Sequence, residues 1–405
     1  MLKRERYLSK IRPFYEVDLI KVLLGVRRSG KSEILKQVRQ ELIDQGIKVE
    51  NILYLNFEDL TNSHLLESKL LNDFVLSYID TSTKSYLFFD EIQVVHDFER
   101  VLASLKASQN VSIFVTGSNS NLLSGELATL LAGRYVSFKI YPFMYQEACE
   151  YMSQLNKPIN HDQFFIDYLQ WGGFPQRFDL GDQDQVRTYL IDLFESIVSK
   201  DVLQKTKDVD HSVISRILKY LFDNNAKLFS IRKVYTDLYT IDKSIQPRYI
   251  YSGITRILNA QIVNECKRYD IKGREILTQL EKYYVVDMGL KSILNTKPEK
   301  DIGFSIETVL YNELTSRGYQ CHVGKTYKGE VDFVVIKNNK KCFIQACYYL
   351  ASEDIVEREF GAFSPIRDES PKYVISLDKV DFTQNGINHL NLIEFLLGIK
   401  DISLS

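Results

Sequence analysis

Gly25-Val26-Arg27-Arg28-Ser29-Gly30-Lys31-Ser32 is the stretch that decides how this chain is read. Its spacing, G-x-x-x-x-G-K-S, is that of a loop that wraps a phosphate. The flanks agree with the spelling. Val17 to Leu24 is an apolar run that reads as a buried strand entering the loop, and Glu33 to Val38 leaves with helical spacing. Glycines let successive backbone N–H groups turn inward on an anion, and the following helix N-terminus adds partial positive charge. In that geometry Lys31 reaches the β- and γ-phosphates of a nucleotide and the Ser32 hydroxyl ligates Mg²⁺. Gly25, Arg27, Arg28, Ser29, Gly30, Lys31, Ser32 and Glu33 form the expected nucleotide-binding stretch.

A second half of the site is expected downstream. Tyr86-Leu87-Phe88-Phe89-Asp90-Glu91 reads as an apolar strand ending in two carboxylates. Beside a phosphate loop, Asp90 supports Mg²⁺ and Glu91 polarises the attacking water as general base. A third strand, Val111 to Val115, ends in Thr116-Gly117-Ser118-Asn119-Ser120-Asn121. A polar cluster at the C-terminal end of a parallel strand faces the ligand crevice, which makes Ser118 or Asn119 a candidate γ-phosphate sensor. A helix cap before Leu122 is the equal alternative. Arg134 precedes an alternating run, Tyr135 to Lys139, that reads as another strand. It is either an arginine finger acting on a neighbouring subunit's γ-phosphate, which implies a homo-oligomer, or the partner of a local carboxylate such as Glu126.

With 405 residues the chain is too long for one core and is expected to form two or three domains. It is 45% apolar and 26% charged, as ordinary globular proteins are. No apolar run reaches the roughly 18 residues of a membrane span, and no signal region follows the charged N-terminus. The expectation is a cytoplasmic protein with no membrane partner. The 5 cysteines are scattered without a CxxC, so neither zinc nor a disulfide framework is signalled. A net charge of −2 exerts no global pull on nucleic acid, so any DNA surface must be a local patch.

Beyond Gln146 the pattern is mostly helical, interrupted by the turn Trp171-Gly172-Gly173-Phe174-Pro175, and suits a small lid. Residues 209 to 298 then read as helices followed by two short strands, Ile262 to Cys266 and Lys282 to Asp287. That is the winged-helix order. Ser230 to Tyr284 carries ten Lys/Arg against six Asp/Glu, a formal +4 compatible with phosphate contacts. From 299 onward, a helix bearing Glu307 precedes strands bearing Asp332 and Gln345. This order resembles the PD-(D/E)-x-K nuclease core. Cys347 stands where that pattern has its lysine, and a neutral thiol cannot supply an ammonium to the reaction. Lys325, Lys328 and Lys341 are conceivable replacements. The expected state is a degenerate site, with cutting activity lost.

Taken together, Gly25 to Ser32, Asp90-Glu91-Ile92-Gln93, Thr116 to Ser120, Leu131-Ala132-Gly133-Arg134 and Gly172-Gly173-Phe174-Pro175 resemble prokaryotic AAA-type ATPases. Lys282-Tyr283-Tyr284-Val285-Val286-Asp287-Met288-Gly289-Leu290 and Gly329-Glu330-Val331-Asp332-Phe333 resemble the conserved domain of unknown function usually fused to them. The resemblance implies ATP binding with Mg²⁺ and hydrolysis. The expected fold is α/β: a P-loop parallel-sheet core (1–145), a helical lid and linker (146–208), a winged-helix-like domain (209–298) and a small nuclease-like α/β domain (299–405). The expected function is ATP hydrolysis coupled to conformational change, with DNA as candidate partner. A slow nucleotide-dependent switch acting through protein partners and an ATP-regulated nuclease are the alternatives.

Overall fold

The computed structural model describes residues 2–80, 82–123, 130–203, 211–294 and 302–405. It divides into two compact units, Met1–Pro142 with Asn259–Gln261, and Phe143–Leu258 with Ile262–Ser405.

The first unit is built on five parallel strands, β1 (Ile20–Leu24), β2 (Ile52–Asn56), β3 (Ser85–Asp90), β4 (Val111–Gly117) and β5 (Tyr135–Lys139), in the order β2-β3-β4-β1-β5. β3 and β4 are buried along their whole length, as parallel strands covered on both faces must be. Alternation then sends their side chains to two cores. Leu87, Phe89, Ile113 and Val115 pack with Leu71, Val75, Leu102 and Leu105 on one face. Tyr86, Phe88 and Phe114 pack with Ile34, Leu35, Val38 and Leu42 of the helix Lys31–Asp44 on the other, where the Phe88 and Phe114 rings stack 4.8 Å apart. β1 begins at Ile20 rather than Val17. The backbone of Val17 is taken by local bonds, its carbonyl accepting from Leu19 N and from the Lys21 ammonium. Lys21 itself is buried in β1, donates to Ser112 Oγ at 2.7 Å, and is pushed down by burial to a pKa of about 7.

The second unit opens with helices Tyr145–Gln154, His161–Trp171 and Gln183–Ile197, so the segment expected as a lid groups with the C-terminal parts of the chain. The expected linker around 204–208, and Glu126 as partner of Arg134, lie outside the described residues. Helices His211–Asp223, Ile231–Ile241 and Pro247–Asn259 follow, then the hairpin of β6 (Val263–Asp270) and β7 (Glu275–Val285). After helices Met288–Leu294 and Ile302–Ser316 come β8 (Gln320–Lys325), β9 (Glu330–Lys337), β10 (Lys340–Ala346), β11 (Lys372–Ser376) and β12 (Asn388–Asn391).

These strands form one seven-stranded sheet in the order β12-β11-β10-β9-β8-β6-β7. The hairpin, expected as two short strands standing apart from the C-terminal segment, is longer and shares this sheet. β6 shifts register between Cys266 and Arg268, and the residues past the shift pair with β7 on one side and with β8 on the other. Asp287, just after the hairpin, clamps the glycine turn of the helical part: its carboxylate accepts from Gly173 N at 2.6 Å and Gly289 N at 2.8 Å. Gly172 sits there at φ 71°, and a Cβ on it would fall 1.8 Å from Asp287 Oδ1.

Candidate functional site

Strand order decides what meets in the first unit. β1 lies beside β4, and β4 beside β3, all parallel. The segments leaving their C-terminal ends, Gly25 onward, Asp90-Glu91 and Thr116 onward, therefore share one edge of the sheet.

The loop from Gly25 is curled by backbone geometry that few residues adopt. Arg28 has φ 65° and Gly30 φ 96°, both left-handed, and the helix begins at Lys31. A Cβ at Gly25 would lie 2.1 Å from the Ile140 carbonyl oxygen, so only glycine fits. Below the loop runs Arg4, 2% exposed, whose guanidinium donates to the carbonyls of Ser29 (2.7 Å), Tyr141 (3.0 Å) and Pro142 (3.3 Å). Its charge holds the Ser29 carbonyl of the loop and ties it to the Tyr141–Pro142 segment. The Ser29 hydroxyl is buried and has no hydrogen-bond partner among the described residues. An orphan hydroxyl inside a glycine-bounded loop fits a phosphate oxygen.

The Lys31 ammonium, 3% exposed, donates to Gly25 O (3.1 Å) and Val26 O (3.2 Å) and lies 3.7 Å from Glu91 Oε1. Ser32 Oγ donates to Asp90 Oδ1 at 3.0 Å. Asp90, 1% exposed, also accepts from Thr116 Oγ1 (2.5 Å) and Tyr54 OH (2.9 Å). A hydroxyl and a carboxylate oxygen side by side are hard donors of the kind Mg²⁺ takes, so Ser32 and Asp90 fit the expected ion. Glu91 is held at φ 56°, its N–H donating to Thr116 Oγ1 at 2.8 Å. Burial pushes its carboxyl up, but the Lys31 ammonium, the Gln93 amide at 2.5 Å, Arg27 and the Ser118 N–H together hold it below the usual range. Glu91 is thus a carboxylate at neutral pH, able to take a proton from water.

The structure brings Lys31, Ser32, Asp90, Glu91 and Ser118 together. Asn119 follows Ser118, and its carbonyl accepts from Leu122 N in a tight turn. Arg27 pairs with Glu58 at 2.9 Å, Arg28 is exposed, and Glu33 pairs with Lys36. Arg134 stands at the start of β5, its carbonyl accepting from Ile20 N at the start of β1. The phosphate loop leaves the other end of β1, about 16 Å away at 3.3 Å per residue, so Arg134 is not part of its own chain's site. Thr116, Tyr54, Gln93 and Arg4 were not assigned roles from sequence. Thr116 and Gln93 lie inside quoted motifs. Tyr54 and Arg4 had no local signal, because they reach the site through strand pairing and the fold of the N-terminal helix.

In the second unit, Glu307, Asp332 and Gln345 also converge. Asp332 Oδ2 accepts from Ala346 N (2.9 Å), and Gln345 Oε1 from Asp332 N (3.2 Å). The lysine beside them is Lys282, 2.8 Å from Glu307 Oε1. Lys325 and Lys341 are paired elsewhere, with Asp270 and Asp368, and Lys328 is exposed. Burial raises the Cys347 thiol to about 12, so it stays neutral.

Comparison with known proteins agrees with this geometry. The family described as AAA domain matches residues 18–149, and the Domain of unknown function (DUF8612) matches 162–301. An uncharacterized protein of Haemophilus influenzae is 33% identical over 399 residues, which cover 98% of this chain and 99% of that protein. The uncharacterized protein MJ1544 of Methanocaldococcus jannaschii is 29% identical over 391 residues, 92% of this chain and 84% of that one. In fold, the chain resembles the Walker-type ATPase PABY2304 of Pyrococcus abyssi, with a TM-score of 0.53 at 13% identity over 73% of this chain and 96% of that one. Among the described residues, no helix is long and apolar enough to cross a membrane. The first unit is an AAA-type, nucleotide-binding P-loop domain, and the chain belongs to the family of the H. influenzae protein it matches from end to end.

Proposed function

We propose that this protein hydrolyses ATP with Mg²⁺ and couples hydrolysis to conformational change, with DNA as its ligand. The observation that carries the ATPase reading is the convergence of Lys31, Ser32, Asp90 and Glu91 on one edge of a parallel sheet, with Glu91 negatively charged and 3.7 Å from Lys31. The loop N–H groups and Ser29 bind the phosphates. Lys31 exchanges its bonds to Gly25 and Val26 carbonyls for phosphate oxygens. Ser32 and Asp90 would hold Mg²⁺, which would supply positive charge to offset the charge that develops on the phosphoryl oxygens. Glu91, oriented by Gln93 and Ser118, takes the proton of the attacking water. Ser118 or Asn119 senses the γ-phosphate, and Arg134, out of reach of its own loop, acts on that of a neighbouring copy. The five cysteines, all free thiols, suit the reducing cytoplasm.

The DNA reading rests on the winged-helix order of Ile231–Ile241, Pro247–Asn259 and the β6–β7 hairpin. Arg248, Tyr251 and Thr255 lie exposed on the second helix, with Lys272 and Arg274 at the hairpin turn. Lys282, counted in the basic excess, is buried among carboxylates and adds nothing to this surface.

The test is steady-state ATP hydrolysis with Mg²⁺, with and without single- and double-stranded DNA. Lys31→Ala is expected to lose turnover at least a hundredfold; unchanged turnover in a folded variant overturns the site. DNA is expected to stimulate hydrolysis, and Arg248→Ala with Tyr251→Ala to remove the stimulation. Hydrolysis indifferent to DNA replaces this reading with a switch acting through protein partners.

A further inference from the structure

We infer that Lys282 occupies the place a divalent cation takes in nuclease-like acidic sites, making the carboxylate cluster of the second unit a closed, metal-free ion-pair lock. The cluster joins three elements. Lys282 comes from β7, Glu307 from the helix Ile302–Ser316, and Glu330 and Asp332 from β9. The ammonium lies 2.8 Å from Glu307 Oε1, 3.0 Å from Glu330 Oε1 and 3.6 Å from Asp332 Oδ1. The ammonium thus donates to Glu307 and lies within ion-pair distance of two further carboxylates.

Other side chains brace the cluster around the ammonium. Tyr284, two residues along β7 and so on the same face as Lys282, donates its hydroxyl to Glu307 Oε1 at 2.6 Å. Its ring stacks on Tyr311, one turn beyond Glu307 on the helix, with centroids 4.2 Å apart. Asp332 Oδ2 is taken by Ala346 N, and the Gln345 side-chain oxygen by Asp332 N. Mg²⁺ would need oxygen ligands at about 2.0–2.1 Å around the point these carboxylates face, and the Lys282 ammonium already holds that point. Among the described residues, no group of three or more His, Cys, Asp or Glu side chains is arranged to hold a metal ion.

Access points the same way. The side chains of Lys282, Glu307 and Asp332 are 3%, 6% and 11% exposed, and only Glu330, at 35%, reaches solvent. A phosphodiester with its flanking nucleotides has no route to the buried pair. The expected two-carboxylate site is therefore filled from within. What it does is tie the hairpin strand β7 to β9 and the helix. Removing the lysine leaves three acidic groups without their cation, and such a cluster attracts a metal.

The test is Mn²⁺ binding to nucleotide-free full-length protein, read by electron paramagnetic resonance, with Asp90→Asn throughout to silence the first unit. Protein retaining Lys282 is expected to bind no Mn²⁺ at this cluster and to cut no DNA. Lys282→Ala is expected to melt roughly 10 °C lower. It should gain one Mn²⁺, lose it on addition of Asp332→Asn, and regain melting temperature when Mn²⁺ is supplied. If Lys282→Ala does not fold, Lys282→Met with Glu307→Gln, which removes one charge of each sign, should fold with a melting temperature near that of the parent. The inference is overturned if protein with Lys282 binds Mn²⁺ or cuts DNA in a way that Asp332→Asn abolishes, or if folded Lys282→Ala gains no metal.

Discussion

Glu91→Gln separates the two jobs that the structure gives one side chain. The Glu91 carboxylate faces the Lys31 ammonium at 3.7 Å, both nearly buried. Coulomb attraction at that distance is about 4.5 kcal/mol for an effective dielectric constant of about 20. Most of it is offset by the cost of taking two charges out of water, which leaves a surplus on the order of 1 kcal/mol. To bind a γ-phosphate, Lys31 must give that surplus up. An amide of the same shape removes the competition, so ATP should bind about tenfold tighter, since 1.4 kcal/mol is a factor of ten. The same amide cannot accept a proton from water, and loss of a general base costs roughly 10²–10⁴ in rate. Nucleotide titration and single-turnover hydrolysis, each with Mg²⁺, measure the two effects separately. A turnover within threefold of wild type would refute the assignment of Glu91 as base. Weaker ATP binding would refute the argument that Glu91 and phosphate compete for Lys31.

Gly25→Ala puts a Cβ 2.1 Å from the Ile140 carbonyl oxygen and 2.9 Å from Ser29 Oγ, and the first of these is backbone that cannot step aside. We expect a loss of at least 1–3 kcal/mol in urea unfolding, together with at least tenfold weaker nucleotide binding; wild-type values for both would mean the loop is not built as described. Glu41 accepts from Arg12, Tyr15 and Lys3, and the Arg12 guanidinium above all lowers its pKa from an ordinary 4.5 to about 2. Because the folded value lies below the unfolded one, its contribution is present above pH 4.5 and is lost as pH falls toward 2. Glu41→Gln should therefore lower stability at pH 7 and flatten the acid limb of the stability profile between those values, and an unchanged acid limb in urea titrations would remove Glu41 from this role.

The phosphate loop and the Asp90-Glu91 pair were legible because their meaning is local. Positive φ at Gly30 and the start of a helix at Lys31 follow from a few neighbouring residues, and an apolar strand ending in two acids announces its own burial. Ser118 was legible for the same reason, as a polar residue at a strand end. Arg134 was legible as a residue but not as a position, since only the parallel pairing of β5 with β1 puts it at the far edge from its own loop. Tyr54 meets Asp90 because β2 lies next to β3, and nothing within β2 says so.

In the second unit the helices before the hairpin, the hairpin itself, the helix and strands bearing Glu307, Asp332 and Gln345, and the absence of a lysine at 347 could be read along the chain; the strands Lys372–Ser376 and Asn388–Asn391 that complete the sheet could not. The sequence by itself did not determine what faces those acids. Lys282 lies 25 residues before Glu307 and on the far side of the sheet order from β10, in a hairpin that sequence spacing separated from the strands it joins. Backbone conformation depends on adjacent residues and can be read along the chain. Which cation is buried against which carboxylate depends on strand order, on the register shift between Cys266 and Arg268, and on the free energy of satisfying charges removed from water, and these are settled only when the whole sheet closes.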